Sequence, residues 1–186
     1  IDAGTQDGVL YFAMEYVDGK SVGDLIEENG QLTEEAAIEI CDQIGKALEH
    51  AHAAGLMHRD IKPDNIMISG EGKAKLCDLG LAKSESGDAS LTQDGFIVGT
   101  PHYIAPEQAR GDVELDARVD IYSLGATLYT MLTGRVPFDG STSAMVMARH
   151  MTDPFPDPRL LVPELSNELV AVLYKMVAKD REDRYA

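Results

Sequence analysis

Hydrophobic and polar positions follow two different periods along this chain, and each period predicts a different kind of element. The apolar, β-prone run from Val9 to Val17 predicts a strand that Asp18-Gly19 should end. Two shorter apolar runs, Asn65 to Ser69 and Ala74 to Cys77, flank a glycine-containing turn. They predict a hairpin of two short strands.

A helical period, with apolar residues recurring every three or four positions, is present in five further stretches. They are Ser21 to Glu28, Thr33 to Gly55, Asp116 to Thr133, Thr142 to Met151 and Asn167 to Ala178. The second opens on a good N-cap residue, and the third is apolar on nearly every face, so it should be buried. For the last helix we expect these residues to point inward: Leu169, Val172, Leu173, Met176 and Val177.

The overall charge narrows the range of partners. The 186 residues include 32 acidic and 16 basic side chains, a net charge of −16. This balance disfavours nucleic acid and anionic membranes, which attract lysine and arginine, and it favours a basic protein partner. No run of 18 apolar residues exists, so we expect no membrane contact by this segment and a cytoplasmic location, either free or within a longer, membrane-anchored parent.

Cysteine and histidine positions indicate no metal centre. Cys41 and Cys77 are too far apart for a disulfide framework or a four-ligand metal site, and they are typical of a reducing compartment. His50 and His52 are two residues apart on a predicted helix, so they do not share a face. Packing or capping roles are expected for both histidines.

Three short motifs carry the chemistry. The run from His58 to Asn65 reads HRDIKPDN, and the sequences Asp78-Leu79-Gly80 and Ala105-Pro106-Glu107 follow it in that order. The first fits the pattern H-R-D-L-x-x-x-N of the protein-kinase catalytic loop, and the order of all three fits the same template. Along its whole length the chain resembles a eukaryotic-type serine/threonine protein kinase, most closely the bacterial members.

The resemblance implies an α+β, mainly α fold: the large, C-terminal lobe of a kinase with a remnant strand of the small lobe. Residues 1–17 would be the small-lobe remnant and the hinge, and residues 18–186 the large lobe, truncated before its final helix. The sequence contains neither a G-x-G-x-x-G loop nor a V-A-I-K-like lysine. We therefore expect the fragment alone to be inactive and, with an uncovered apolar strand, to self-associate.

The resemblance implies ATP and Mg²⁺ as cofactors and assigns five catalytic residues. Asp60 would accept the proton of the attacking hydroxyl, and Lys62 would steady the transferring phosphate. Asn65 and Asp78 would hold Mg²⁺, which prefers oxygen ligands. Thr100 would bond Asp60 and shape the substrate-docking loop, although by pattern alone it is a turn residue before proline. Lys62 and Thr100 together favour serine or threonine of a protein as the substrate.

Besides Asp78, five residues are predicted to surround the nucleotide. By resemblance Met14 is the gatekeeper, Glu15 and Val17 belong to the hinge that meets adenine, and Met67 forms the floor beneath it. Cys77 precedes the metal-binding aspartate, so its thiol is placed either at the nucleotide pocket or inert in the core. The pattern by itself also fits an edge strand with ordinary core residues.

Five more residues are expected to support the site. By resemblance His58 packs beneath Leu79, which stands where the template has phenylalanine. Asp120, in the buried helix, needs hydrogen-bond partners and would find them in the catalytic-loop backbone. Glu107 and Arg184 would form a buried ion pair. These roles are structural.

A regulatory site is predicted in the polar loop from Lys83 to Ile97, which is rich in Ser, Gly, Asp and Thr. Thr92 would be phosphorylated and its phosphate bound by Arg59, with Asp94 as a fixed negative charge nearby. Thr92 is otherwise a solvated loop residue. The rival sites are Ser84, Ser86 and Ser90.

Two alternatives to an active protein kinase remain open. A pseudokinase or scaffold of the same fold would bind partners without chemistry, but Asp60, Asn65 and Asp78 are all present. A small-molecule kinase would share the fold, whereas the Ala105-Pro106-Glu107 segment favours protein substrates. The residues that precede position 1 in the parent would distinguish an active kinase from a pseudokinase.

Overall fold

The computed structural model describes residues 2–6, 9–78 and 101–186, and these are mainly helical with two small sheets. The strands are β1 (Asp2–Gln6), β2 (Val9–Ala13), β3 (Gly19–Ser21), β4 (Ile66–Ser69) and β5 (Ala74–Leu76). The helices are α1 (Val22–Asn29), α2 (Glu34–Ala53), α3 (Pro106–Arg110), α4 (Arg118–Thr133), α5 (Ser143–Thr152) and α6 (Asn167–Met176). A mixed α and β fold dominated by helices is confirmed.

The strand predicted from Val9 to Val17 is shorter in the structure. β2 ends at Ala13, residues 14–18 have no regular structure, and β2 pairs only with β1 in an antiparallel hairpin. Gly19, expected to end a strand, begins β3, which pairs with β4 in a separate sheet of order β3-β4-β5. A Cβ at Gly19 would lie 1.9 Å from the carbonyl oxygen of Ile68. Only a residue without a Cβ permits this close pairing. Gly19, which was predicted to end a strand, is therefore itself part of the sheet.

Helix α4 is the centre of the core, as its apolar sequence predicted. Fourteen of its sixteen residues are buried, and both α2 and α6 pack against it. Gly134 ends the helix with φ of 67°, a left-handed conformation that glycine adopts without strain. At Gly125 a Cβ would lie 2.7 Å from the Val177 side chain and 2.9 Å from that of Met176. The small residue at position 125 thus sets how closely α4 approaches the end of α6.

The other predicted helices formed with small shifts in their ends. Ser21 caps α1 in a reciprocal pair with Asp24, whose backbone N–H donates to Ser21 Oγ at 3.0 Å. Thr33 caps α2 by accepting from the N–H of Ala36. In α6 the prediction for Val172 was wrong: it is 41% exposed, whereas Val170 is 3% exposed. Val172 lies at the edge of the stripe formed by Leu169, Val170, Leu173, Met176 and Val177.

The structure also bears on membrane insertion. Within the described ranges, every helix is either too short or too polar to cross a bilayer.

Candidate active site

The catalytic-loop backbone is held by a carboxylate from the core. Asp120 is fully buried in the first turn of α4. Its Oδ2 accepts the backbone N–H of His58 at 2.9 Å, and its Oδ1 accepts that of Arg59 at 2.7 Å. Arg59 has φ of 65°, a left-handed conformation that is costly for a residue with a Cβ. The two hydrogen bonds offset that cost by satisfying both amides at a buried anion.

His52 is a third partner of Asp120 that the sequence did not predict. Its Nε2 lies 2.8 Å from Asp120 Oδ2, and its side chain is 18% exposed. The contact gives His52 a packing role next to the start of α4. The two residues are 68 positions apart, and no pattern in the sequence joins them.

The catalytic loop brings together the side chains of Asp60, Lys62 and Asn65. Lys62 Nζ lies 3.1 Å from Asp60 Oδ2, and Asn65 Nδ2 donates to the same oxygen at 3.2 Å and to the Asp60 backbone carbonyl at 2.7 Å. A short 3-10 turn, Pro63–Asn65, positions the asparagine. The Asp60 side chain is 48% exposed, so its carboxylate is oriented by the protein and still open to solvent.

Asp78 is held beside Asn65 by the β4-β5 hairpin. The N–H of Cys77 donates to the carbonyl of Asn65 at 2.8 Å, and Asp78 follows with a left-handed φ of 57°. The Cys77 carbonyl lies 2.9 Å from His58 Nε2, and the N–H of Asp60 donates to His58 Nδ1 at 3.3 Å. Nδ1 therefore accepts and Nε2 donates, which fixes the tautomer of this fully buried ring. His58 joins the two segments that carry the predicted base and metal holder.

The predicted metal holders offer suitable chemistry. Asn65 uses its Nδ2 for Asp60, which leaves Oδ1 as an oxygen donor, and the exposed Asp78 contributes a carboxylate. Oxygen donors of this kind suit Mg²⁺ when phosphate oxygens and water complete its coordination. Among the described residues, no group of three or more His, Cys, Asp or Glu side chains is arranged to hold a metal ion without such help.

Of the predicted adenine-side residues, Met14, Glu15 and Val17 lie in the segment between β2 and β3, and Met67 lies on β4. Glu15 forms an ion pair with Lys75, which lowers the pKa of the Glu15 carboxyl through that hydrogen bond and charge. Lys75 is directly opposite Met67 in the β4-β5 register, so the two side chains share one face of the sheet. Because Lys75 reaches Glu15, this face of the sheet is directed toward the residues between β2 and β3. In that segment, Met14 is 57% exposed and Val17 is half-buried.

The two cysteines have different surroundings. Burial raises the pKa of the Cys41 thiol to about 12. The Cys77 thiol is half-buried beside Asp78, and burial followed by the Asp78 charge raises its pKa. Neither thiol is activated by its neighbours at neutral pH.

Glu107 and Arg184 form a buried, bidentate ion pair. Arg184 Nη1 lies 2.6 Å from Glu107 Oε1, and Nη2 lies 2.8 Å from Oε2, with both side chains 1% exposed or less. Arg184 also donates to the backbone carbonyls of Ala178 and Arg118. The pair therefore ties α3 to the start of α4 and to the C-terminal residues.

Three predicted site residues, Leu79, Thr92 and Thr100, lie outside the described residues. The predictions made for them remain predictions. Arg59, the predicted phosphate partner of Thr92, is half-buried next to Asp60.

The helical fold and this clustered catalytic loop define a protein kinase domain, and comparison with known proteins agrees. The family model described as "Protein kinase domain" matches residues 1–186, so the chain belongs to the protein kinase family. Its relatives include a probable serine/threonine-protein kinase of Clostridium perfringens, 42% identical over 185 residues. Serine/threonine-protein kinase PknB of Mycobacterium tuberculosis is 44% identical over 188 residues.

The matches cover this chain almost completely but only part of each relative. The alignment covers 100% of the chain and 27% of the Clostridium protein, and 99% of the chain and 30% of the Mycobacterium protein. A probable PknB of Bifidobacterium longum is 40% identical, again over 27% of its length. The chain thus spans less than a third of these relatives.

Proposed function

We propose that this domain transfers the γ-phosphate of ATP to a serine or threonine hydroxyl of a protein substrate. The observation that carries the proposal is the convergence of Lys62 Nζ and Asn65 Nδ2 on one carboxylate oxygen of Asp60. A base, a cation and a metal-holding amide in one cluster meet the demands of phosphoryl transfer, which depends on positioning and charge stabilisation. The relatives' names and the family match support the same activity.

Each residue of the cluster would have one task. Asp60 orients the substrate hydroxyl and accepts its proton, and Lys62 balances negative charge on the phosphate. Asn65 and Asp78 would hold Mg²⁺. ATP with this ion supplies the phosphoryl group when bound. His58 and Asp120 keep the loop backbone in place, and Thr100, which lies outside the described residues, would contact Asp60.

The adenine would lie against Met14, Glu15 and Val17, with Met67 beneath it. The shared face of Met67 and Lys75 and the Lys75–Glu15 ion pair support this placement. We further propose that residues 1–17 belong to the small-lobe and hinge side and residues 18–186 to the large lobe. The apolar residues near the hinge, such as Met14 at 57% exposure, support the expected self-association of the isolated chain.

The proposal is tested in the intact protein that carries this domain. Asp60→Asn should lower the turnover of a basic protein substrate by about 10²- to 10⁴-fold, the usual contribution of a catalytic base, while preserving nucleotide affinity. Asp78→Asn should instead weaken Mg²⁺-dependent nucleotide binding. Asp42→Asn, on the exposed surface of α2, is the matched control and should behave as wild type.

The results separate the main alternatives. Wild-type turnover by Asp60→Asn would contradict the assignment of the base. A wild-type protein that binds Mg-ATP and transfers no phosphate to any protein would favour the pseudokinase.

A further inference from the structure

Gln108 connects the catalytic loop to a segment far away in the sequence. It lies in the middle of α3, and its Nε2 donates to the backbone carbonyl of Arg59 at 3.2 Å. Its Oε1 accepts the backbone N–H of Ala105 at 3.1 Å. One side chain therefore joins residue 59 to residue 105, the first residue of the Ala105-Pro106-Glu107 motif.

The orientation of the Gln108 amide follows from its two partners. A backbone N–H can only donate and a backbone carbonyl can only accept, so Oε1 must face Ala105 and Nε2 must face Arg59. Reversing the amide would set donor against donor and acceptor against acceptor. Capping the start of α3 explains the contact with Ala105. It does not explain the contact with Arg59, which is 49 residues away.

The contact with Arg59 acts on the peptide unit that carries the catalytic aspartate. The Arg59 carbonyl and the Asp60 N–H belong to one planar peptide group. Gln108 holds its oxygen, and His58 Nδ1 accepts its N–H at 3.3 Å. The preceding peptide group is held by Asp120, which accepts the Arg59 N–H at 2.7 Å. The peptide planes on both sides of left-handed Arg59 are thus fixed by side chains from other elements.

Holding both peptide planes matters because the backbone conformation of Arg59 is unfavourable. A residue with a Cβ at φ of 65° persists only where its surroundings over-determine it. A change in the ψ angle of Arg59 would turn this peptide plane, move the Cα of Asp60 and turn its carboxylate away from Lys62 and Asn65. The donor on Gln108 opposes that rotation directly.

We propose that Gln108 is a positioning residue for phosphoryl transfer: it holds the Arg59–Asp60 peptide plane and ties it to the segment that begins at Ala105. The inference rests on the proposed function and deepens it. Gln108 touches neither substrate nor nucleotide in this assignment. Its effect is on kcat, through the orientation of Asp60.

Two substitutions in the intact protein test the proposal. Gln108→Glu keeps an acceptor for Ala105 but replaces the donor facing Arg59 by an oxygen, and Gln108→Met removes both polar atoms at similar length. We expect kcat to fall about tenfold or more in both, the equivalent of one lost hydrogen bond in the transition state. KM for ATP should stay within about twofold of wild type, since no nucleotide contact changes. Gln31→Glu, at an exposed position, makes the same chemical change as a control.

A pH series separates positioning from general damage to the fold. Protonation of the carboxyl introduced by Gln108→Glu restores a donor toward Arg59. The ratio of its kcat to that of wild type should therefore rise as the pH is lowered from about 7 to about 5, toward the ordinary glutamate pKa of about 4.3. Gln108→Met and Gln31→Glu should show a flat ratio.

Amide hydrogen exchange provides a readout that is independent of activity. The Asp60 N–H should exchange faster in Gln108→Met than in wild type, because its peptide plane is released, while amides of α4 should be unchanged. Unchanged Asp60 exchange, or kcat within about twofold of Gln31→Glu in both variants, overturns the proposal. If the wild type transfers no phosphate, the proposed function fails, and the exchange result still decides whether Gln108 holds the loop.

Discussion

The hydroxyl of Tyr122 lies 2.9 Å from Nδ1 of His150, and both side chains are fully buried. On the other side of the ring, Nε2 lies 3.0 Å from the backbone carbonyl of His102. The carbonyl can only accept, so Nε2 carries the proton and Nδ1 accepts from the tyrosine. This neutral histidine joins α4, α5 and the turn at Pro101–Tyr103, next to the segment predicted to dock the substrate.

Burial of His150 should make the stability of the domain sensitive to acid. Burial, and then the charge of Lys179, lowers the pKa of His150 to about 3, although its contact with the His102 carbonyl favours the charged form. In the unfolded chain the same ring binds a proton near pH 6.5, so the unfolded state gains protons first as the pH falls. The contribution of neutral, buried His150 to the free energy of unfolding is complete above about pH 6.5. It is lost progressively toward pH 3, by up to about 1.4 kcal/mol per pH unit. His150→Gln should flatten this slope in urea unfolding measured at several pH values.

Tyr122→Phe should destabilise the domain at neutral pH by about 1–3 kcal/mol, because His150 Nδ1 stays buried without its donor. Urea denaturation against wild type measures the change. Tyr174→Phe, at a residue 37% exposed, is the control and should shift stability by no more than about 0.5 kcal/mol. Tyr122→Phe should also keep most of the acid slope, since the imidazole remains buried. An unchanged midpoint would show that this hydrogen bond contributes nothing net.

Glu107→Gln should be far more damaging than the loss of a surface ion pair. It leaves the guanidinium of Arg184 buried without a counter-charge, which costs about 3–5 kcal/mol in comparable cases. Glu182→Gln breaks the pair between Arg118 and an exposed carboxylate and should have little effect. Thermal unfolding of the two variants gives the comparison. Similar melting temperatures for both would contradict the structural role of the Glu107–Arg184 pair.

Gly19→Ala should disrupt the pairing of β3 with β4. The added methyl would meet the carbonyl oxygen of Ile68, a backbone atom that can move only with its strand. We expect a loss of about 1–3 kcal/mol in the free energy of unfolding. Gly70→Ala is the matched control, because a Cβ there has nothing within 4 Å. If both variants unfold at the same urea concentration, the close approach at Gly19 is not a constraint.

Cys77 should react slowly with a thiol reagent at neutral pH and be protected by Mg-ATP. Its raised pKa keeps the thiolate scarce, and its position beside Asp78 places it at the proposed nucleotide site. Cys41, with a pKa of about 12, should not react in the native protein. Mass spectrometry of alkylation in the intact protein, with and without Mg-ATP, measures both. Equal labelling of Cys77 in the two conditions would place its thiol away from the nucleotide.

The sequence predicted those elements in which one strong local signal dominates. Helices α2 and α4 and the β4-β5 hairpin have clear periods and sharp ends, and they formed nearly as predicted. The short elements β3 and α3 were missed because contacts from elsewhere in the chain decide them. The close approach of Ile68 to Gly19 is such a contact, and it cannot be read from the sequence around Gly19.

The site shows the same division. Its motif residues were identifiable from spacing, whereas His52 and Gln108 were not assigned contacts with the catalytic region. Their partners are 68 and 49 residues away, so no local pattern in the sequence joins either pair. In particular, Gln108 bonds to backbone atoms, which every residue type has, so the type of the partner residue does not reveal the contact.

Within the catalytic loop, the carboxylate of Asp120 binds the backbone amides of His58 and Arg59 and none of the loop side chains, so this anchorage does not depend on which side chain stands at position 59. The side chain at position 59 can vary in evolution or design while Asp120 still holds the two amides, whereas the ring of His58 is itself a partner of the Asp60 N–H. The sensitive positions lie in the core, where Gly125 sets how closely α4 approaches α6. A methyl group at Gly125, five residues from Asp120, would shift α4 and with it the carboxylate that holds the catalytic loop, without changing any residue of the loop itself. The catalytic rate among variants of this domain should therefore depend more on changes within α4 than on changes of the side chain at position 59.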